Sequence, residues 1–395
     1  MLRLALSLFL VQAGFHGFTA ALPVALARGG VSDPLIGLIV GTAALVQIPA
    51  ALVAGALLDR FGGVRLFAVG GVAYIVGTGI LLLPGVQPGD ATLPFFAARI
   101  FQGIGIAATL PSALALVPRL MPPHRRGFGL AFMGSAHNLT LVALPPVSLI
   151  ILTATSLDGV ALAMLGLTVV GLVLLFAAPL RLRPLDGDAA GEALGAARRR
   201  LGFAFRRSWT IPLAIVLLYV AHWGVIIGYL PQRAEAAGAD VGLFFVADGL
   251  AVLLLRIPSG WLADRTRPII LLIAGFILTA ISIGMLVLPA TTPQLVVAGA
   301  LTGAGAGLLL TPLLVELSRR SGEADRGSAF ALFSASLAAA LALGSIGAAP
   351  LVGAFGFEAA IVATLLGLVG AIVLSFLDPS FRLSPGAARA GRASA

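Results

Sequence analysis

The sequence contains no cysteine and no lysine among its 395 residues, and only 10% of the residues are charged. The absence of cysteine excludes disulfides, thiolate metal sites and cysteine nucleophiles. Soluble globular chains carry about 25% charged and about 45–50% apolar residues, whereas 59% of this chain is apolar. The polar surface is too small to cover a water-soluble domain, which excludes a soluble enzyme, a nucleic-acid-binding protein and a disulfide-stapled secreted module. The mean hydropathy of +1.08 indicates a protein embedded in a bilayer.

Long apolar runs dominate the rest of the chain. A membrane-spanning helix needs roughly 20 mostly apolar residues, and twelve stretches of the sequence meet that requirement. Most breaks between them contain Gly, Pro, Asp or Arg, which end helices or resist burial. The predicted spans are residues 4–27, 35–57, 64–84, 93–117, 127–153, 159–179, 211–232, 242–263, 268–289, 294–316, 328–350 and 359–377.

One polar stretch is longer than the other breaks and divides the spans into two sets of six. We therefore predict an all-α integral membrane protein with twelve transmembrane helices in two pseudo-symmetric six-helix bundles. The predicted domains are an N-terminal bundle (1–180), a cytoplasmic linker (181–210), a C-terminal bundle (211–379) and a disordered cytoplasmic tail (380–395). Within the linker, residues 189–207 are predicted to form a basic amphipathic helix that lies on the inner membrane surface and tethers the halves.

The first span also fits a signal peptide. Arg3 precedes an apolar run, and Ala25-Leu26-Ala27 resembles a cleavage site. Removing this segment would leave eleven spans and break the internal repeat described below. We therefore favour a membrane span.

The basic residues follow the positive-inside rule. With the N-terminus in the cytoplasm, 21 of the 25 Arg fall on cytoplasmic segments. Arg28 and Arg233 fall on outer segments, and Arg99 and Arg256 fall inside spans. The net charge of +9 therefore indicates topology, not a nucleic-acid partner. We predict that both termini are cytoplasmic. The Arg-only basic usage, with many Ala, Gly and Leu, favours the inner membrane of a prokaryote.

The two halves of the chain repeat one another. His16 in span 1 and His222 in span 7 lie 43 and 42 residues before the loop Asp of their half. An internal repeat of two six-helix units is typical of secondary transporters, whose site lies at the repeat interface near the midplane. Three further pairs of segments match in the same order: GALLDRFGGVR (55–65) with SGWLADRTR (259–267), QGIGIAATLP (102–111) with TGAGAGLLLTP (302–312), and RRGFGLAF (125–132) with DRGSAFALF (325–333).

Two segments resemble signatures of the major facilitator superfamily. GALLDRFGGVR resembles the signature of its loop between spans 2 and 3, and RIFQGIG (99–105) resembles its span 4 signature. The resemblance covers the chain from residue 1 to about residue 379. It implies the superfamily's fold, transport by alternating access, and a role of Arg99 in proton coupling. Val64 departs from the pattern, because the superfamily usually has a basic residue there.

The two Gly-x-x-x-Asp-Arg loops are predicted to form a conformational latch. A glycine lets neighbouring helices approach closely, and an Asp at a helix end can accept N–H bonds from a facing helix N-terminus. The resemblance implies that such an Asp holds the bundles closed on the inside. Arg267, in place of Gly62, predicts a weaker second latch, and the alternative is a solvated loop pair that obeys the positive-inside rule. The predicted latch residues are Gly55, Asp59, Arg60, Arg65, Gly260, Asp264 and Arg265.

Polar groups inside the spans are the candidate functional residues, because ionisable side chains are costly within a bilayer. Asp248 and Arg256 are eight residues apart in span 8, hence about 12 Å along the helix axis and near the same face. Structural alternatives are a His that only bonds a neighbouring helix, and an Arg256 paired with Asp248 or a carbonyl. The candidate substrate and proton-coupling residues are His16, Arg99, Gln102, His137, Asn138, Tyr219, His222, Asp248 and Arg256.

The charge balance of these residues favours an anionic or neutral solute. Two Arg and three His face one mid-span carboxylate, Asp248, and Arg is a good partner for carboxylate or phosphate. The His side chains and Asp248 are suitable proton carriers. We therefore predict a proton-coupled secondary active transporter of a small organic solute, a monomer that needs no cofactor or metal and binds no nucleic acid.

A broad-specificity drug or metabolite efflux antiporter is the alternative. Span 5 carries Pro145-Pro146 without a preceding Gly, a partial match to the Gly-Pro pair of the superfamily's antiporters. An integral-membrane enzyme is disfavoured, because the sequence holds no acidic pair, no His-x-x-x-His and no nucleophile motif. The absence of a P-loop excludes ATP as the energy source.

Overall fold

The computed structural model describes residues 1–89, 92–122, 125–177, 206–263, 265–321 and 326–382. The described residues are helical and contain no β-strand. Contacts divide the chain into two compact units, Met1–Phe203 and Ala204–Ala395. Most of the predicted linker helix (189–205) and most of the predicted tail (383–395) lie outside the described residues.

The first unit is built from apolar helices, because a backbone inside a bilayer has to satisfy its hydrogen bonds within its own segment. Three short helices form span 1, and one long helix forms each of spans 2 to 6. The helices are α1 (Leu2–Val11), α2 (Ala13–His16), α3 (Ala21–Arg28), α4 (Asp33–Phe61), α5 (Gly63–Leu81), α6 (Leu93–Leu120), α7 (Arg126–Ala154) and α8 (Leu157–Phe176).

Span 1 is interrupted, whereas the sequence predicted one continuous span over 4–27. Helical bonding lapses before α3, where Phe18 N–H bonds to Phe15 O and Thr19 N–H bonds to His16 O. Pro23 has no N–H, so the bond that it would make to Thr19 O in a regular helix is missing. The interruption leaves His16 at the C-terminal end of a short helix.

The second unit is also built from apolar helices, but its first span is one continuous helix. A short turn at Arg207–Trp209 leads into its first long helix, and a π-helical segment at Leu343–Gly347 follows α13. The helices are α9 (Thr210–Ala236), α10 (Val241–Ala263), α11 (Pro268–Val287), α12 (Thr292–Arg319), α13 (Arg326–Ala342) and α14 (Ala349–Leu377).

The boundary between predicted spans 11 and 12 lies at Gly356. This residue has φ of 81° inside α14, a backbone conformation that favours glycine. Span 11 therefore comprises α13, the π-helical segment and the first turns of α14, and span 12 comprises the rest of α14. With α1 to α3 counted as one segment (Leu2–Arg28), eleven helical segments in the described residues are long and apolar enough to cross a membrane. With span 11 counted as above, the predicted all-α, multi-span fold is confirmed.

Equivalent helices make close glycine contacts in the two units. A Cβ at Gly103 of α6 would lie 2.5 Å from the carbonyl oxygen of Ala43 in α4. A Cβ at Gly303 of α12 would overlap the carbonyl oxygen of Asp248 in α10. Both pairs join the second and fourth spans of their unit, so the repeat seen in the sequence is also a repeat of packing.

Candidate functional site

The first unit buries an arginine that has no carboxylate partner among the described residues. Arg99 of α6 is only 3% exposed. Its Nη1 donates to Gln102 Oε1 at 2.9 Å, and its Nη2 donates to the carbonyl oxygen of Val40 at 2.9 Å. The guanidinium lies 4.9 Å from the centre of the Phe15 ring. Because neutral oxygens and a π-face are its partners, Arg99 keeps a positive charge that no described side chain neutralises.

Two histidines lie next to this arginine. The ring centres of His16 and His137 are 5.5 Å apart. His137 Nδ1 donates to Gln12 Oε1 at 2.7 Å, and Thr140 Oγ1 donates to the same oxygen at 3.4 Å. Gln12, which lies between α1 and α2, therefore fixes span 1 against α7.

Four side chains of this cluster keep buried nitrogens without a partner among the described residues. His16 is 3% exposed, and neither of its ring nitrogens makes a hydrogen bond. The other three atoms are Gln12 Nε2, Arg99 Nε and Gln102 Nε2. Amide and guanidinium N–H groups only donate. The first unit therefore presents an excess of buried donors, which an acceptor-rich ligand or water would satisfy.

A tyrosine closes one side of the cluster. Tyr74 of α5 is fully buried. A Cβ at Gly14 would lie 2.6 Å from Tyr74 Cβ, and a Cβ at Gly105 would overlap the Tyr74 ring. The ring can therefore sit between span 1 and α6 only because both positions are glycine. Its hydroxyl has no hydrogen-bond partner among the described residues.

Predicted residue Asn138 does not join this network in the described structure. It follows His137 in α7 and is 9% exposed, but its side chain makes no hydrogen bond to another described residue. The structure brings Arg99, Gln102, His16 and His137 together, and the roles of these residues and of Asn138 stay predictions.

The second unit brings together Tyr219 and His222. Tyr219 OH and Thr279 Oγ1 are 3.0 Å apart, and the Tyr219 and His222 rings are 5.0 Å apart. His222 Nδ1 bonds to the carbonyl oxygen of Tyr219, one turn earlier in α9. A carbonyl only accepts, so Nδ1 carries the proton and Nε2, which is buried without a partner in the described part of the chain, bears the lone pair of the neutral ring.

Asp248 and Arg256 differ in burial, although both lie in α10. The side chain of Asp248 is half-buried and that of Arg256 is exposed. No ion pair joins them in the described structure, so the alternative in which Arg256 pairs with Asp248 is not supported. Asp248 remains the mid-span carboxylate of the second unit.

Among the described residues, no close helix approach occurs at the two latch glycines. A Cβ at Gly55 would meet no described atom within 4 Å, and a Cβ at Gly260 would make an ordinary contact with Thr311 at 3.8 Å. The close approaches to α4 and α10 occur instead at Gly103 of α6 and Gly303 of α12.

The charged latch residues are only partly described. The side chain of Asp59 and the whole of Asp264 lie outside the described residues. Arg60 lies over the Phe61 ring at 5.2 Å, Arg265 lies over the Trp261 ring at 4.1 Å, and Arg65 is exposed. The latch therefore stays a prediction.

A buried ionic cluster at the end of α12 was missed in the sequence. Arg320 donates from Nε to Glu316 at 2.9 Å and from Nη1 to Asp378 at 2.7 Å. Nη1 also donates to the carbonyl oxygen of Ser208, and Nη2 donates to Ser380. Burial alone would raise the pKa of the Asp378 carboxyl, but the hydrogen bonds and charge of Arg320 hold that pKa below its usual value. The cluster joins the ends of α12 and α14 to the start of α9.

The fold and these buried groups define a class of protein. Each of the two repeated units buries polar side chains within its apolar helices, and such groups mark solute or ion pathways in membrane proteins. No cluster of metal-ligating side chains occurs in the part of the chain that the structure describes. The described part of the chain therefore has the architecture of a multi-pass membrane protein.

Comparison with known proteins identifies the family. The family model of the Major Facilitator Superfamily matches residues 4–240 and 223–394, so the chain belongs to that superfamily. The solved structure of a POT family transporter in complex with 5-aminolevulinic acid superposes with a TM-score of 0.74 at 15% identity, covering 96% of both chains. At that identity the likeness shows the fold.

Two curated relatives have named activities. The chain is 28% identical over 282 residues to the 3-(3-hydroxy-phenyl)propionate transporter of Escherichia coli (strain K12), covering 66% of this chain and 65% of that protein. It is 42% identical over 86 residues to a puromycin resistance protein of Streptomyces alboniger, covering 21% of this chain and 16% of that protein. The matches span less than two thirds of either relative.

Proposed function

We propose that the protein is a proton-coupled secondary active transporter of a small organic solute, with anionic solutes favoured over neutral ones. It works by alternating access, as a monomer, in the cytoplasmic membrane of a prokaryote with both termini in the cytoplasm. Its substrate and proton-coupling groups include the cluster around Arg99 in the first unit and the group of Tyr219, His222 and Asp248 in the second.

The observation that carries this proposal is the isolation of Arg99. A buried guanidinium without a counter-charge is costly to a folded protein, and a bound carboxylate would supply that charge through paired N–H···O bonds. The unpaired donors Gln12 Nε2 and Gln102 Nε2 would add hydrogen bonds to the same ligand. The relative from Escherichia coli supports an organic anion, because a propionate carries a carboxylate.

The proposal is tested by uptake into proteoliposomes that hold the purified protein. With an inward proton gradient, we expect uptake of 3-(3-hydroxyphenyl)propionate above the level of empty liposomes, and loss of at least about 90% of that uptake in Arg99→Gln. Arg382→Gln is the matched control, because Arg382 is exposed at the end of the described chain and lies outside both clusters. Equal uptake by wild type and Arg99→Gln would contradict the proposal.

The second candidate function is a broad-specificity drug or metabolite efflux antiporter. The match to the puromycin resistance protein and Pro145-Pro146 in α7 favour it. In the same proteoliposomes, an efflux antiporter would move tetraphenylphosphonium against an opposing proton gradient and would depend on Asp248. Transport of this cation that survives Arg99→Gln but not Asp248→Asn would establish the second function in place of the first.

A further inference from the structure

The interior of the first six spans contains no acidic side chain. The near-neutral titratable groups of that interior are therefore the imidazoles of His16 and His137. An imidazole ordinarily titrates near pH 6.5, so a proton carried by the first unit resides on one of these two rings. The acidic residues before residue 178 lie at span ends or between spans: Asp33, Asp59, Asp90 and Asp158.

The two imidazoles differ in their hydrogen bonds. His137 Nδ1 is engaged with Gln12 Oε1 at 2.7 Å. His16 is 3% exposed, and neither Nδ1 nor Nε2 has a partner among the described residues. A ring with both nitrogens uncommitted can accept a proton and then donate two hydrogen bonds to a ligand. His16 therefore fits a proton-binding role better than His137.

The charged surroundings of His16 would oppose its protonation in the absence of a ligand. Its short helix, α2, packs against α5, α6, α7 and α8. These helices contribute Tyr74, Arg99 and His137 around it, and α8 carries only Asp158, in its first turn. The His137 ring lies 5.5 Å from the His16 ring, and Arg99 lies over the ring of the adjacent Phe15; both neighbours are cationic when protonated. A second cation beside Arg99 needs an anion to offset the repulsion between them.

We propose that His16 is the proton-binding residue of the first unit, and that it takes up its proton when a carboxylate or oxyanion binds beside Arg99. This inference rests on the function proposed above and deepens it by naming the proton site and the anionic class of the substrate. A neutral solute would not offset the repulsion between His16 and Arg99. A cationic solute would find no acceptor on the unpaired nitrogens of Gln12 and Gln102.

Proton and anion then bind with positive coupling, because each stabilises the other. When one proton is linked to binding, the affinity for the anion falls about tenfold for each pH unit above the range in which the imidazole titrates. The sign is fixed: the anion binds more tightly at low pH, where His16 is protonated at least cost. Such coupling makes the first unit carry an anion and a proton together.

The test is isothermal titration calorimetry of the full-length protein in detergent, with 3-(3-hydroxyphenyl)propionate as the probe. Titrations in two buffers of different ionisation enthalpy at about pH 7.5 give the number of protons taken up with each anion. We expect about one proton in wild type and no uptake in His16→Gln. His124→Gln is the matched control, since it makes the same chemical change between spans 4 and 5, and it should keep the proton uptake of wild type.

Three results would overturn the inference. Undiminished proton uptake in His16→Gln would overturn the role of His16 but would not contradict the proposed transport of an anion. Loss of the linked proton in Asp248→Asn, with uptake kept in His16→Gln, would assign the proton to the second unit. Failure of the probe to bind to wild type would remove both this inference and the proposed anionic substrate. If His16→Gln does not elute as a folded species, His16→Asn and the pH dependence of wild-type affinity replace it, and a pH-independent affinity would also overturn the inference.

Discussion

Arg99 donates through Nη1 to the side-chain oxygen of Gln102, 2.9 Å away and one turn along α6. The partner is a neutral amide, so the bond orients the guanidinium without neutralising it. Gln102 is fully buried and its own Nε2 has no partner among the described residues. The positively charged Arg99 guanidinium and the unpaired donor Gln102 Nε2 therefore lie next to each other.

Replacing the Gln102 amide with a carboxylate should give Arg99 a permanent ion-pair partner and so block binding of an anionic ligand. Gln102→Glu places an anion where Oε1 now accepts from Arg99, and a hydrogen bond to a charged group contributes about 1.5–3 kcal/mol. We expect the ligand-free protein to melt at a higher temperature and to lose most of its affinity for 3-(3-hydroxyphenyl)propionate. Gln102→Met, which keeps the size of the side chain but removes the acceptor, should lower the melting temperature. Wild-type affinity in Gln102→Glu would show that Arg99 does not bind the anion.

The contact between α10 and α12 should depend on Gly303. A Cβ there would overlap the carbonyl oxygen of Asp248, so Gly303→Ala has to push two helix backbones apart. We expect a drop in thermal stability and a loss of transport. Gly284→Ala is the control, because a Cβ at Gly284 in α11 meets no described atom within 4 Å. Alanine is more favourable than glycine inside a helix by about 0.5–1 kcal/mol, so this variant should be at least as stable as wild type. A Gly303→Ala protein as stable as Gly284→Ala would refute the close packing.

The ion pair of Arg320 and Asp378 should stabilise the second unit in a pH-dependent way. Arg320 depresses the pKa of Asp378 in the folded state, so the pair contributes stability above the unfolded pKa of an Asp, about 3.9. That contribution is lost as the pH falls through the lower, folded pKa. Asp378→Asn should therefore melt below wild type at neutral pH, and the difference should shrink in acid. A difference that is constant with pH would contradict this account.

The membrane topology predicted from the arginines can be measured by labelling single introduced cysteines, because the chain has no cysteine of its own. Ala237→Cys lies at the exposed end of α9, on the predicted outer side, and Ser394→Cys lies in the predicted cytoplasmic tail. In intact cells a membrane-impermeant thiol reagent should label Ala237→Cys and spare Ser394→Cys. Both should be labelled after the membrane is permeabilised. The reverse pattern would invert the predicted topology.

The spans, the repeat and part of the site were accessible from the sequence. Twenty apolar residues form a spanning helix whatever their partners, and Arg99 and Gln102 are three residues apart on one helix. The distribution of arginines between loops required no tertiary information either. These features are local, so the sequence alone predicts them.

The remaining features depend on packing between distant segments. Tyr74 comes from the third span of its unit and Tyr219 from the first span of the other. A Cβ at Gly105 would overlap the Tyr74 ring, and a Cβ at the matching Gly305 would lie 3.3 Å from Tyr219 OH. Aligning the two halves of the sequence by position cannot show that these matching glycines face tyrosines from different spans. Arg320 and Asp378 are 58 residues apart, although the spacing of Glu316 and Arg320 at i and i+4 was a readable indication of an ion pair.

The buried charge of Arg99 as an anion site is the central claim, and thermal unfolding of the purified protein tests it most directly. A ligand at 100 times its Kd stabilises a protein by about 2.7 kcal/mol, which is a readable shift in melting temperature. We predict this shift for wild type with 3-(3-hydroxyphenyl)propionate, and none with its uncharged methyl ester or in Arg99→Gln. Stabilisation of wild type and Arg99→Gln alike, or stabilisation by tetraphenylphosphonium alone, would contradict it.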